Sequence, residues 1–304
     1  MEIEAVKSVP LEDLFSMAAQ ARSEGRQPVL QAVYPQGTLA VSVTGKSCAL
    51  DCPHCGGHYL ERMTPLADLP EELASRKPTS ILLSGGCDLS GAVPLAHGLA
   101  RARELADPEG AGERRFKINA HPGVASPEAA KAIADAADVI SYDFVLDDGT
   151  LAEAFGGRWT GRDYVETLRN LRSGRAEVVP HVLIGLKRGQ IAGEYEAVRF
   201  LLDEGIKRII FIVFIPTPGS RWASVPPPPV QDVARVIAWT RVSAPGLDIS
   251  LGCMRPGGTY RRQLDVVAVK CGVDRIVLPH PDALESARSM GLEIVKKEEC
   301  CAFV

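Results

Sequence analysis

Short aliphatic and β-branched runs alternate with longer amphipathic stretches along most of the chain. The runs cover residues 39–43, 80–83, 116–120, 139–144, 178–184, 208–214, 248–251 and 275–278. Such brief Val/Ile/Leu-rich segments are what parallel strands buried on both faces require. Helices are predicted in the intervals. Residues 127–137 are alanine-rich, with Ser126 placed to cap them ahead of Pro127. Residues 163–172, 193–204 (stopping at Gly205), 229–242, 260–270 and 281–289 complete the set. Residues 11–23 form a further helix ahead of the first run, expected to cover the underside or flank of the fold.

Eight β–α pairs predict an α/β fold, a single (β/α)8 TIM-type barrel over residues 38–290. An N-terminal helical extension (1–37) and a C-terminal cysteine-containing tail (291–304) flank it. An open doubly wound sheet with two extra units is the alternative reading of the same pattern. Polar residues at the C-terminal ends of barrel strands are candidates for ligand contacts.

Composition narrows the function. The 304 residues are 46% hydrophobic and 24% charged, with a formal net charge of −4 and no basic tract. Nucleic acid is therefore not an expected partner, because phosphate binding draws on clustered Lys and Arg. No apolar run reaches the ~18 residues of a membrane span, and the N-terminal MEIEAVKSVPLEDLF lacks a charged-then-apolar signal pattern. The expected location is the cytoplasm, with no membrane partner.

In that setting the eight cysteines are more apt to bind metal or do chemistry than to pair. Three of them, Cys48, Cys52 and Cys55, form C-x3-C-x2-C in the loop after the first predicted strand. Three thiolates at this spacing can hold one corner region of a [4Fe–4S] cubane and leave one iron open for a further ligand. A zinc knuckle completed by His54 or His58 is the competing reading, although zinc sites usually present paired C-x2-C units. After the second strand come Ser84, Gly85, Gly86 and Cys87, a turn whose glycines permit close backbone approach. Asn119 and Asp143 end the third and fourth strands. Cys271, at a helix end on the underside, reads as a small buried apolar residue. Cys87, Cys253, Cys300 and Cys301 remain, and an extended tail could span ~30 Å back toward the mouth, so these four are candidates for a second, auxiliary cluster.

The CALDCPHC motif and its position resemble the radical S-adenosylmethionine (SAM) superfamily, with His54 standing where an aromatic residue is usual. The resemblance implies a partial or full β/α barrel and a [4Fe–4S] cluster on Cys48, Cys52 and Cys55 with SAM on the open iron. It also implies reductive cleavage of SAM to a radical that takes hydrogen from an unactivated carbon. Ser84, Gly85 and Gly86 match the family's SAM-binding Gly-Gly turn, with Cys87 where Glu is common. Asn119, Asp143 and Gly185 are then SAM or pocket contacts, with Thr217 and Gly219 as further pocket wall. VVPHVLIGLKRGQ, FIVFIPTPGS and LGCMRPGG resemble biotin synthase and its relatives, where an Arg near the place of Arg255 helps hold a second cluster. No cysteine precedes Cys48, unlike single-chain lipoyl synthase, and the GKSCALDCPHCGGHYLERM segment and Cys-Cys tail are similar to a subunit of the two-component lipoyl synthase. That likeness implies sulfur insertion into an octanoyl group on a lipoyl-bearing carrier protein. A second radical SAM subunit would be the partner, and ferredoxin or flavodoxin the electron donor. A single-cluster radical SAM enzyme of another reaction type, a biotin synthase-like sulfurtransferase on a small molecule, and a non-enzymatic cluster or zinc module are the other readings.

Overall fold

The computed structural model describes residues 2–110 and 112–303. After two helices, α1 (Ile3–Ser8) and α2 (Leu11–Gly25), come β1 (Val29–Val33) and β2 (Thr38–Ser42). The cysteine loop leads to β3 (Thr64–Pro65) and α3 (Leu69–Arg76), followed by β4 (Ser80–Ser84), α4 (Leu95–Ala106), β5 (Lys117–Ala120) and α5 (Pro127–Ala136). Next are β6 (Val139–Asp143), α6 (Asp148–Phe155), α7 (Gly161–Leu171), β7 (Glu177–Ile184) and α8 (Glu194–Asp203). The chain ends with β8 (Arg208–Val213), α9 (Val230–Ser243), β9 (Asp248–Leu251), α10 (Gly258–Lys270), β10 (Arg275–Val277), α11 (Pro281–Ser289) and β11 (Glu293–Lys297).

The strands pair in parallel as one curled sheet in the order β11-β1-β10-β9-β8-β7-β6-β5-β4-β2-β3. This is an α/β partial barrel. The two ends, β11 and β3, are not joined by a ladder among the described residues, so the eight-stranded closed ring is replaced by an open, longer sheet. Two segments assigned to extensions belong to it. β1 lies within residues 1–37, and β11 lies within the expected tail, in register with β1 from Val29↔Glu293 to Val33↔Lys297. The charged positions of β11 (Glu293, Lys296, Lys297) hid its strand pattern, as edge strands commonly do.

Local sequence explains the helix starts. Ser126 accepts from Ala129 N at 3.2 Å ahead of Pro127. Thr160 and Asp163 form a reciprocal capping box on α7. The main core lies between the sheet and its helices. A second apolar group is made by Val33, Val139, Val179, Ile210, Ile212 and Val277 together with Cys301 and Ala302 of the tail. Val179 alternates with Val178 and Val182 of the main core, so this second group is the barrel's inner face.

The tail fills the floor of that interior. Glu298 O accepts from Gly37 N at 3.0 Å, and Cys300 N donates to Thr38 Oγ1 at 2.9 Å. Arg208 Nη1 donates to Ala302 O at 2.9 Å, and Lys117 Nζ sits 5.5 Å from the Phe303 ring centroid. Thr38, Lys117 and Arg208 are the first residues of β2, β5 and β8. The expected return of the tail to the mouth is thus replaced by insertion across the strand N-termini. No helix among the described residues is long and apolar enough to cross a membrane.

Candidate functional site

The cysteine loop follows β2, on the face where the strands end. Cys55 N and Gly56 N both donate to Cys52 O, at 3.0 and 2.9 Å, which folds the C-x2-C segment into a tight turn. Cys48 is exposed, while Cys52 and Cys55 are half-buried. Burial, then the neighbouring Cys55 and Cys48, push the Cys52 thiol up to about 12. Burial also raises Cys55, against the pull of backbone N–H groups of Gly57, Tyr59 and His58. Anionic sulfur crowded here calls for a cation, and the N–H groups around Cys55 suit a thiolate ligand. Three soft donors on one turn, with N–H support, fit an iron–sulfur cluster. No group of three His, Cys, Asp or Glu among the described residues is gathered tightly enough for a single ion.

The Ser84–Cys87 turn is fitted against this loop. Gly86 N donates to Thr44 Oγ1 at 2.7 Å, and Ala49 N donates to Cys87 O at 2.8 Å. A Cβ on Gly86 would stand 2.0 Å from Ser47 O and 2.7 Å from Cys48 Cβ. A Cβ on Gly85 would meet Thr44 Oγ1 and Val43 Cγ2 at 3.1 Å. The two glycines are therefore needed to seat the cysteine loop. Ser84 Oγ lies within 3.2 Å of His121 O and 3.5 Å of its Nδ1.

Cys87 belongs with this upper group. Burial first, then the charges of Cys48 and Cys52, push its thiol up to about 12. It was expected with Cys253, Cys300 and Cys301; its turn packs on Cys48, whereas Cys300 lies at the barrel floor beside Thr38. Cys300 and Cys301 are adjacent in the tail, and Cys253, exposed just after β9, is within electrostatic reach of both. Cys253 is raised by burial and then by Cys300, and Cys301 feels both Cys300 and Cys253. The Cys300 thiol is lowered, first by its hydrogen bond with Cys301, with further help from Ala302 N–H and Asn119.

Asn119 was expected at SAM. It is fully buried, and its amide donates to Ser141 Oγ at 2.9 Å and Cys300 Sγ at 3.7 Å while accepting from Ser141 N at 3.1 Å. Gly185 likewise serves packing: its φ is +80°, a Cβ would strike Pro228 Cγ at 2.6 Å, and its N–H donates to Glu194 Oε1 at 2.8 Å. Burial pushes that Glu194 carboxyl up to about 7. Arg255 is also committed. It grips Asp265 through two bonds of 2.7 and 2.8 Å and donates to Gly252 O at 2.6 Å. The guanidinium therefore holds the Cys253 loop from behind. Cys271 is fully buried beside Ala234 O, as its place in the sequence implied.

Sequence reasoning found Asp143 but missed the two histidines facing it. His121 Nε2 lies 3.4 Å from Asp143 Oδ1, and the His121 and His181 ring centroids are 6.3 Å apart. Burial works against charge on His121, but Asp143, by its charge and hydrogen bond, more than offsets it and raises the imidazole. Asp143 is lowered: burial opposes its charge, and His121 outweighs burial. Burial keeps His181 neutral, at about 4. His121 follows β5, Asp143 ends β6 and His181 lies mid-strand in β7, in register with Asp143, so only the pairing of consecutive strands could have grouped them.

No family model matches the sequence, and no characterised protein matches it at significant similarity. Solved structures do share the fold. Methylornithine synthase PylB superposes with a TM-score of 0.67 at 13% identity, over 96% of this chain and 92% of its own. The [FeFe]-hydrogenase maturase HydG gives 0.69 at 13% identity, over 95% of this chain and 70% of its own. HydG from Carboxydothermus hydrogenoformans gives 0.66 at 16% identity, over 90% and 65%. The partial barrel is the fold these solved structures have in common with this chain.

Proposed function

We propose that this chain is a radical SAM enzyme that inserts sulfur at an unactivated carbon. The observation that carries the first part is the C-x3-C-x2-C loop, seated by Gly86 and Cys87 at the end of β2 in a fold shared with PylB. When bound, a [4Fe–4S] cluster and SAM supply one-electron chemistry able to remove hydrogen from such a carbon. Cys48, Cys52 and Cys55 would hold the cluster, and the Ser84–Gly86 turn and Asp143 stand beside the place for SAM.

Sulfur transfer is supported by the thiols inside the barrel. Cys300 and Cys301 lie against the inner apolar group, where a carbon radical would be shielded from water, and Cys253 after β9 is within electrostatic reach of them. They are the candidate ligands of a second cluster, without Cys87. Half-buried Leu183 and Met254 pack against the inner group that includes Ile212, apolar surface that suits an aliphatic chain. An octanoyl group on a lipoyl-type carrier protein, handled together with a second radical SAM subunit and a ferredoxin or flavodoxin donor, is the substrate class we favour.

The His121–Asp143–His181 wall favours a second reading, a single-cluster radical SAM enzyme on a polar substrate. Anaerobic reconstitution with octanoylated carrier peptide, with and without a second subunit, separates the two. Thiolated product with about eight irons per chain supports sulfur insertion. SAM cleavage with four irons and no thiolation supports the second reading.

A further inference from the structure

The loop after β8 grips the cysteine loop at three places. Thr217, almost fully buried, donates its hydroxyl hydrogen to Ile215 O at 3.1 Å. Its oxygen is therefore left to accept, and the Tyr59 hydroxyl, 2.7 Å away, donates to it. Trp222 N donates to Pro53 O at 2.9 Å. Arg221 donates to Asp51 O and lies 3.5 Å from Asp51 Oδ2. Asp51 and Pro53 flank Cys52 directly, and Tyr59 lies four residues past Cys55, so the grips fall on both sides of the C-x2-C segment.

The gripping loop is itself anchored. Trp222 is buried in a satellite apolar group with Ala154, Leu186 and Phe214. Its ring meets Phe214 edge-on at 6.0 Å, and the Arg188 guanidinium lies 5.7 Å from its centroid. His54, in the middle of the cysteine motif, packs against Phe155 at 5.3 Å and Trp222 at 6.2 Å. Cys48 is outside this grip and rests on the Gly86–Cys87 turn instead. The loop is thus held from two sides by the protein itself.

We propose that Thr217, Arg221 and Trp222 are positioning residues, a clamp that holds Cys52 and Cys55 in their ligating arrangement before iron arrives and fixes the cluster's geometry afterwards. The proposal deepens the reading above and rests on it only for the second half of its test. Ordering paid for in the fold lowers what the metal must supply when it binds. Because Thr217 lies in the loop after β8, the clamp also ties the metal loop to the far wall of the barrel mouth.

The test uses full-length protein and three variants, Thr217→Val, Tyr59→Phe and Thr217→Ser. In metal-free protein, amide hydrogen exchange across residues 50–60 is expected to quicken about fivefold or more in Thr217→Val and Tyr59→Phe. Thr217→Ser keeps the hydroxyl and should exchange like wild type. Melting temperature checks that each variant is folded. In reconstituted protein, the same two variants should lose iron to a chelator faster and show an altered electron paramagnetic resonance spectrum of the reduced cluster, with Ser again restoring both. Equal exchange in wild type and Thr217→Val overturns the clamp, whatever the metal content. A wild-type chain that exchanges as expected but takes up no iron defeats the cluster reading and leaves the clamp standing.

Discussion

Asn119 and Cys300, 181 positions apart in the sequence, meet inside the barrel with the amide nitrogen 3.7 Å from the sulfur. The same nitrogen donates to Ser141 Oγ, and the amide oxygen accepts from Ser141 N. A fully buried amide held on both sides has little freedom, so its N–H is fixed toward the tail thiol. Together with Cys301 and Ala302 N–H it keeps Cys300 below the ordinary thiol value.

Asn119→Leu should therefore raise the Cys300 thiol and leave Ser141 N without its acceptor. In metal-free protein, the pH midpoint for alkylation of Cys300, followed by mass spectrometry, is expected below the usual ~8.5 in wild type and above the wild-type value in the variant. The unsatisfied buried groups should cost about 1–3 kcal/mol in denaturant unfolding. An unchanged midpoint would show that Cys301 alone sets the thiol.

Arg255 and Asp265 form a bidentate pair with both side chains fully buried. Asp265→Ala leaves an unpaired guanidinium in the core and should destabilise by about 3–5 kcal/mol, with much less loss in a double variant carrying Arg255→Met as well. Urea midpoints measure both. Equal losses in the single and double variants would mean that packing, not charge, governs this position.

His121 and Asp143 make a pH-dependent contact. The folded His121 value is raised, so its contribution is complete below its unfolded value, ~6.5, and is lost as pH rises through the folded value. The folded Asp143 value is lowered, so its contribution is complete above its unfolded value, ~3.9, and is lost as pH falls through the folded value. The stability difference between wild type and Asp143→Asn should hence peak between those limits, ~4 to ~6.5. NMR titration of the His121 ring should show a lower value in the variant. A difference that fails to fall off below ~4 and above ~6.5 would contradict the ion pair.

His54 is kept neutral by burial, at about 4, and its Nδ1 has no partner within the protein. Its neighbours are the rings of Phe155 and Trp222. Phenylalanine fits that surrounding and removes an unsatisfied nitrogen, at the loss of a bond to Ala154. His54→Phe should change stability by no more than about 1 kcal/mol and retain iron. Loss of iron would make the imidazole part of the metal site.

Much of this was legible because it is local. Eight of the nine interior strands, all but β1, follow from aliphatic runs, and the cysteine loop, the Gly-Gly turn and the buried Cys271 follow from position along them. What escaped depends on contacts across the barrel. β11 carries lysines and a glutamate at its edge, so its period does not show. The tail's course is set by Thr38, Arg208 and Lys117, which are unremarkable in sequence and meet only at the barrel floor. Asn119 and Arg255 have the chemistry of ligand groups, and only their neighbours reveal that both are spent on the protein itself.

The central claim is radical SAM chemistry at Cys48, Cys52 and Cys55. Its most direct test is production of 5′-deoxyadenosine from SAM by anaerobically reconstituted chain with a strong reductant. Iron is counted on the same sample, in wild type and in a variant with all three cysteines changed to alanine. The account predicts nucleoside from wild type and none from the variant, with about four fewer irons in the variant. Zinc in place of iron, or wild-type protein that holds iron and leaves SAM intact, would contradict it.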